Sequence, residues 1–309
     1  LTSFASRSFL GIERIDLGSG DNTLVVDFDR ALESVRDDGT LRVDGDAGDR
    51  VVVVDAWTPG TPAGGYLDWV RSEGEATVHL EVAEGITVER HQTATAAVDN
   101  LVGGSGINDV FIFHESTLTA DDQVDGAGGD DVVRLVGGGS FDLNNLDMTA
   151  IDGVYLADGA TVILGPDSVP VHGSFFDDTF VVTTATPGAI DGGDGIDTLQ
   201  FNLDGGTLGS LVTTGFELLH VVGGGSITLA GTWSDILLDD ANYVATLGEL
   251  TTYGITFGSG DDSLGLNPLA LVSSPIQMGF GADTVSGSAA NGIVVNLDYG
   301  DDLWIYDGG

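Results

Sequence analysis

The chain has 309 residues, and its 49 acidic against nine basic side chains give a formal net charge of -40. That balance argues against nucleic acid, whose phosphates call for Lys and Arg, and against anionic membrane surfaces; no apolar run approaches the ~20 residues of a membrane-spanning helix. Cysteine is absent, which excludes a disulfide framework, while 42% apolar residues interleaved with 48 glycines leave enough apolar material for a packed core.

Residues 1–100 read as a smaller β-rich module. They hold eight of the nine arginines. Residues 12–17 alternate as a strand would, and Gly18-Ser19-Gly20-Asp21-Asn22 and Gly45-Asp46-Ala47-Gly48-Asp49 are glycine-aspartate turns. Residues 30–36 suit one short helical turn, and residues 51–54, all valine, a buried strand. A Pro- and Gly-rich loop follows, flanked by Trp57, Tyr66 and Trp69. Residues 76–82 alternate, and Gly85 turns the chain into residues 86–88, which predicts a hairpin packed on an aromatic cluster. Trp57 and Trp69 read as a hydrophobic minicore in preference to a platform for a sugar ring. Residues 92–100, small and polar without glycine, form a connector and put a domain boundary near residue 100.

From residue 101 onward glycine-rich turns recur. Gly103-Gly104-Ser105-Gly106-Ile107-Asn108-Asp109 comes first, and Asp125-Gly126-Ala127-Gly128-Gly129-Asp130-Asp131 follows one coil length later. Gly173-Ser174-Phe175-Phe176-Asp177-Asp178 precedes Gly192-Gly193-Asp194-Gly195-Ile196-Asp197, which with Thr198-Leu199 fits the nonapeptide Gly-Gly-x-Gly-x-Asp-x-U-x (U, a large apolar residue) without a mismatch. Three more turns close the series, with Gly258, Gly260 and Asp262, then Gly279, Gly281 and Asp283, then Asp298, Gly300 and Asp302. Gly126, Gly192 and Gly258 recur every 66 residues, as three coils would. Gly137-Gly138-Gly139 and Gly223-Gly224-Gly225 read as tight turns without a ligand.

The nonapeptide pattern is one that binds Ca2+ between stacked turns of a parallel β-helix or β-roll. Glycine permits the sharp turn, the Asp supplies a hard oxygen to a hard cation, and the apolar residue starts a strand into the core. The expected fold is therefore all-β: a parallel β-helix or β-roll solenoid over residues 101–309, preceded by the β-rich module 1–100. The last three turns should stack on one edge. Expected metal ligands are Asn108, Asp109, Gly126, Gly128, Asp130, Asp131, Asp177, Asp178, Gly192, Asp194, Asp197, Gly258, Gly260, Asp262, Gly279, Gly281, Asp283, Asp298, Gly300 and Asp302. Bound divalent cations would relieve the self-repulsion of so acidic a fold. Generic salt adaptation would explain the missing Lys, but not Asp gathered behind Gly-x-Gly-x.

Catalytic patterns are missing. No Gly-x-Ser-x-Gly elbow occurs, and His114-Glu115 opens a zinc-protease pair whose second His position is Leu118. His79, His91, His172 and His220 are scattered, so no enzyme is expected.

The turns of residues 101–309 resemble those of the RTX family, the Ca2+-binding secreted proteins of Gram-negative bacteria. Val43-Asp44-Gly45-Asp46-Ala47-Gly48-Asp49-Arg50-Val51, with Trp57 and Tyr66, is similar to a module of very large bacterial surface and adhesin proteins. The resemblance implies type I export, folding in calcium outside the cell, and a structural part in a cell-surface layer, filament or adhesin stalk. The implied partners are calcium, other copies or adjacent repeats, and a cell-surface glycan. An export and stability domain of a secreted enzyme, or a ligand-binding adhesin module, are the alternatives. The half-motif Asp307-Gly308-Gly309 suggests a fragment that continues beyond its C-terminus.

Overall fold

Strands in this chain alternate inward apolar and outward polar residues, and parallel neighbours keep that alternation in register. In Thr198–Asn202, Leu199 and Phe201 are buried. Leu199 lies beside Phe180 on one side and Leu219 on the other, so apolar side chains pile into columns, as the two-residue period of a strand demands. The computed structural model describes residues 11–35, 39–54, 56–165, 169–183, 189–203, 213–287 and 292–306. The fold is nearly all β, and its parallel sheets form a β-solenoid of about 10 turns, the expected class. Arg36, Asp204 and residues 307–309 lie outside the described residues.

Two compact units divide the chain. The first comprises residues 1–113, 121–134 and 147–152; the second comprises 114–120, 135–146 and 153–309. In the first unit, Arg14–Asp16, Thr40–Asp44 and Ala76–Ala83 run parallel in one sheet. Thr23–Val26, Arg50–Val54, Thr87–Thr93 and Asn108–His114 run parallel in another. Parallel pairing thus crosses residue 100, where composition had suggested a boundary. The turns at Asp21 and Asp49 are corners of the same coil plan as those downstream.

A helix, Phe28–Ser34, fills one connection. The Asp27 side chain caps it by accepting the Arg30 N–H at 2.9 Å. Phe28 meets Trp57 edge-on, with centroids 6.4 Å apart, and Trp57 and Trp69 are both buried among Val51, Val53, Val78 and Leu80. The sugar-platform alternative for these tryptophans is therefore excluded.

The hairpin is not where the sequence put it. Tyr66–Glu73 pairs antiparallel with Ala76–Ala83. The two-residue turn Gly74-Glu75 supplies the positive φ (60° at Gly74) that such a connection needs. Gly85, with φ 103°, is instead a solenoid corner, because Ala76–Ala83 and Thr87–Thr93 enter different sheets.

In the second unit, one column of parallel strands runs Gly139–Asp142, Ala160–Leu164, Thr179–Val182, Thr198–Asn202 and Leu218–Val222. Another column joins Gly153–Leu156, Val171–His172, Ile190–Asp191 and Thr213–Thr214. Gly225–Leu238 and Tyr243–Thr256 are long strands of 14 residues, paired in parallel with a register shift between Leu229 and Gly231. The first part of Tyr243–Thr256 then pairs with Ser263–Gly265, followed by Thr284–Gly287 and Leu303–Tyr306.

The 66-residue register does not correspond to one column. The turn of Gly192 leads into Thr198–Asn202, between Thr179–Val182 and Leu218–Val222. The turn of Gly258 leads into Ser263–Gly265, between Tyr243–Thr256 and Thr284–Gly287. The two turns belong to different columns: Leu218–Val222 pairs onward with residues 235–238, at the end of one long strand, whereas Ser263–Gly265 lies beside residues 244–246, at the start of the other. Gly137, Gly138, Gly139, Gly223, Gly224 and Gly225 all have positive φ, as tight turns require.

Candidate metal-binding turns

Turns stack here by bringing a carbonyl oxygen of one coil against the bare Cα of the next. A Cβ on Gly279 would collide with the Gly258 carbonyl, one on Gly281 with that of Gly260, and one on Gly300 with that of Gly281. In the opposite order, Gly173 meets the carbonyl of Gly192 one coil on, and Gly103 that of Gly126. The glycines are therefore required by inter-coil contact as well as by turn geometry.

The last Asp points inward and is buried in seven turns, at Asp49, Asp109, Asp131, Asp178, Asp197, Asp262 and Asp283; in the final turn Asp302 is half-buried. The Oδ1 of this Asp reaches back to the preceding coil. Asp302 accepts the Asp283 N–H at 3.1 Å, Asp283 that of Asp262 at 2.9 Å, and Asp262 that of Tyr243 at 2.8 Å. In a second column Glu217 Oε2 accepts from Asp197 at 2.9 Å, Asp197 from Asp178 at 2.8 Å, and Asp178 from Ala160 at 2.7 Å. In the first unit Asp152 Oδ2 accepts from Asp131 at 2.7 Å and Asp131 Oδ1 from Asp109 at 2.8 Å.

The residue before that Asp is exposed in several turns and reaches forward. Asn108 Oδ1 accepts the Asp130 N–H at 3.1 Å, and Asp177 that of Ile196 at 2.9 Å. Asp261 accepts from Ala282 at 2.9 Å, and Asn242, which precedes Tyr243 and no motif Asp, accepts likewise from Asp261 at 2.9 Å. At the turns ending in Asp131, Asp178 and Asp262, paired Asx residues thus staple a coil to both neighbours. Asp194 and Asp298 lie exposed on their turns.

The second carboxylate oxygen divides the turns into two kinds. At Asp49, Oδ2 accepts the Asp46 N–H at 2.8 Å; at Asp178, it accepts the Ser174 N–H at 2.8 Å and its hydroxyl at 2.9 Å; at Asp109, it accepts the Gly104 N–H at 2.7 Å. Among the described residues, the buried Oδ2 of Asp131, Asp197, Asp262 and Asp283 makes no hydrogen bond; at Asp131 alone a further backbone N–H, that of Gly128, lies near enough to the carboxylate to favour its charged form. Burial, opposed by the staple hydrogen bond and helped by neighbouring carboxylates, raises the pKa of all four. Asp197 and Asp262 are pushed up to about 6.

A buried carboxylate oxygen with no donor is costly, and a cation is the partner that would satisfy it. Among the described residues no group of three or more His, Asp or Glu side chains gathers as a metal cage, so the remaining ligands would be backbone carbonyls. Those are at hand. A point at the Cβ position of Gly192 lies 2.9 Å from Asp197 Oδ2 and closer still to the Gly215 carbonyl; at Gly126, Asp131 Oδ2 and the Ala150 carbonyl converge likewise. The residues present fit a hard, oxygen-seeking cation.

Sequence reasoning missed Asp152, Glu217 and Asn242. Their signal was distance, one coil from a motif residue, without the glycines. It also missed Arg90, which bonds to Asp109. No family model matches the chain, and neither a curated protein nor a solved structure matches it. Among the described residues no helix is long and apolar enough to cross a membrane.

Proposed function

We propose that this chain is a Ca2+-stabilised, RTX-like structural module of a secreted cell-surface protein, without catalytic activity, serving in a surface layer, filament or adhesin stalk. The observation that carries this reading is the set of four buried Oδ2 atoms, of Asp131, Asp197, Asp262 and Asp283, that make no hydrogen bond among the described residues and lie beside stacked glycine turns. Ca2+ bound there would supply positive charge and coordination to carboxylate and carbonyl oxygens of adjacent coils. The chain's own part is to aim those oxygens. Glycines let the coils close up, Oδ1 is committed to the neighbouring coil, and Oδ2 is left over. Metal affinity then becomes folding stability. The weak, millimolar range of extracellular calcium modules agrees with a place outside the cell, reached by type I export. Adjacent repeats or further copies are the natural partners of such a module.

Circular dichroism in millimolar Ca2+ and after chelation tests the reading, with calorimetric titration of the chelated chain. Loss of β signal on chelation and its recovery with Ca2+ are expected. A chain that keeps its melting temperature in chelator and shows no heat of Ca2+ binding would refute it.

The ligand-binding alternative draws on another place. The rings of Phe280 and Tyr299 are exposed, lie 5.9 Å apart and are nearly parallel at 14°, an arrangement on which a cell-surface glycan could stack. Glycan binding abolished by Phe280→Ala, with folding intact, is its expected signature.

A further inference from the structure

The turn 103–109 differs from its neighbours in what meets the buried carboxylate, and the difference bears on the cation reading, on which the present inference rests. Arg90, on strand Thr87–Thr93, is buried. Its guanidinium donates Nε–H to Asp109 Oδ1 at 2.6 Å and Nη2–H to Oδ2 at 3.1 Å. Nη2 also donates to the Val102 carbonyl at 3.2 Å, and Nη1 to the Trp57 carbonyl at 3.4 Å. Gln92 Nε2 steadies the same Val102 carbonyl at 3.1 Å. One coil on in this column, Asp131 Oδ1 accepts the Asp109 N–H, but among the described residues its own Oδ2 makes no hydrogen bond and no guanidinium stands beside it.

The guanidinium therefore sits among two carboxylate oxygens and two backbone carbonyls, the donor set a hard cation takes from a glycine turn. We propose that Arg90 is a tethered cation that takes the place of metal at turn 103–109, so that this turn binds no Ca2+ and keeps its shape without it. The bidentate fork matches a carboxylate. Being covalently attached, the charge cannot be removed by a chelator or diluted away. The coil at Asp109 would then be set before calcium arrives and would offer the next turn, at Asp131, a formed neighbour to stack on.

The test is to uncover the site. Asp109 Oδ2 keeps the Gly104 N–H at 2.7 Å whatever replaces Arg90. Arg90→Gln therefore removes the charge and uncovers Oδ1, left with only Gln92 Nε2 at 3.5 Å, beside two carbonyls; Arg90→Gln with Asp109→Asn removes both charges. Ca2+ is titrated calorimetrically into the chelated 309-residue chain in each form, with thermal melts alongside. The single variant should bind one more equivalent of Ca2+ than the wild type. It should melt lower than wild type in chelator and recover most of that loss in millimolar Ca2+. The double variant should bind the wild-type number of ions. A single variant that binds only the wild-type number, or one that Ca2+ cannot restore, overturns the proposal while leaving the other turns as cation sites. A wild-type chain that binds no Ca2+ at all sinks the underlying reading, a separate outcome.

Discussion

At the scale of single residues, the motif Asp has two jobs that substitution can separate. Its Oδ1 staples a neighbouring coil, and its Oδ2 is left for a cation. Asp197→Asn keeps an acceptor for the Asp178 N–H and replaces the unpartnered oxygen with an amide. In chelator it should be at least as stable as wild type, yet gain less from Ca2+ and bind one ion fewer. Asp197→Ala loses the staple as well and should be destabilised with or without Ca2+, by about 1–3 kcal/mol for the unsatisfied buried N–H. Asp147→Asn, on an exposed side chain, is the neutral comparison; matching effects at Asp147 and Asp197 would undo the assignment. The same carboxylates set a pH dependence. The folded pKa values of Asp197 and Asp262, about 6, lie above the ordinary carboxylate value. The folded state thus holds these protons more tightly than the unfolded chain. Their contribution to stability is fully present below the ordinary carboxylate range and is lost as pH rises through about 6. Chelated protein should accordingly melt at higher temperature near pH 5 than near pH 7.5, as far as these groups decide it. In saturating Ca2+ the order should reverse, because protons compete with the metal. Melts that rise with pH in chelator would contradict the buried, unpartnered placement of Oδ2.

At the scale of elements, the turns are where stability is most exposed to substitution. Gly281→Ala would drive a Cβ into the Gly260 carbonyl, backbone that cannot swing aside, whereas Gly265→Ala meets nothing nearer than Thr246 Oγ1 at 3.4 Å. The first should cost several kcal/mol, in the range of severe steric changes, and the second little. Equal shifts in urea midpoint for the two would show that the coils do not stack as described. Much of this was legible in the residues. Alternation in 198–202 and the recurrence of Gly-x-Gly-x-Asp marked strands, corners and the β-solenoid. The stacking of Asp262, Asp283 and Asp302 followed from coil-length spacing. Other features were hidden because they depend on partners distant in sequence. Nothing local shows that Ala76–Ala83 takes Tyr66–Glu73 as its antiparallel partner, since Gly74 and Gly85 look alike until the sheets are known. The 66-residue period misled because coil length varies and the long strands Gly225–Leu238 and Tyr243–Thr256 meet one column at their ends and another at their starts. Glu217 was invisible as a staple because it performs the Asp role without the glycines.

At the scale of the whole molecule, charge separates the two units. The first holds 20 Asp and seven Glu with all nine Arg, and the second holds 19 Asp and three Glu with neither Arg nor Lys. Their formal charges, -18 and -22, sum to the -40 of the chain. Only the first unit therefore owns cations that could pair internally, as Arg90 does with Asp109. Of the four unpartnered Oδ2 atoms, only that of Asp131 lies in the first unit, whereas those of Asp197, Asp262 and Asp283 lie in the second. The two units should then respond differently to metal. Amide hydrogen exchange in Ca2+ and in chelator, at matched ionic strength, reads this directly. On chelation, protection should collapse first in Thr198–Asn202, Ser263–Gly265 and Thr284–Gly287, while Arg50–Val54 and Thr87–Thr93 keep most of theirs. NaCl at equal ionic strength should not restore the second unit, since screening cannot coordinate an oxygen, and Mg2+ should restore it poorly, given its reluctance to shed water and its stricter octahedron. Protection lost uniformly along the chain would mean that the coils unfold as one body and that the arginines of the first unit confer no independence from calcium. Recovery with Na+ equal to that with Ca2+ would assign the effect to repulsion alone.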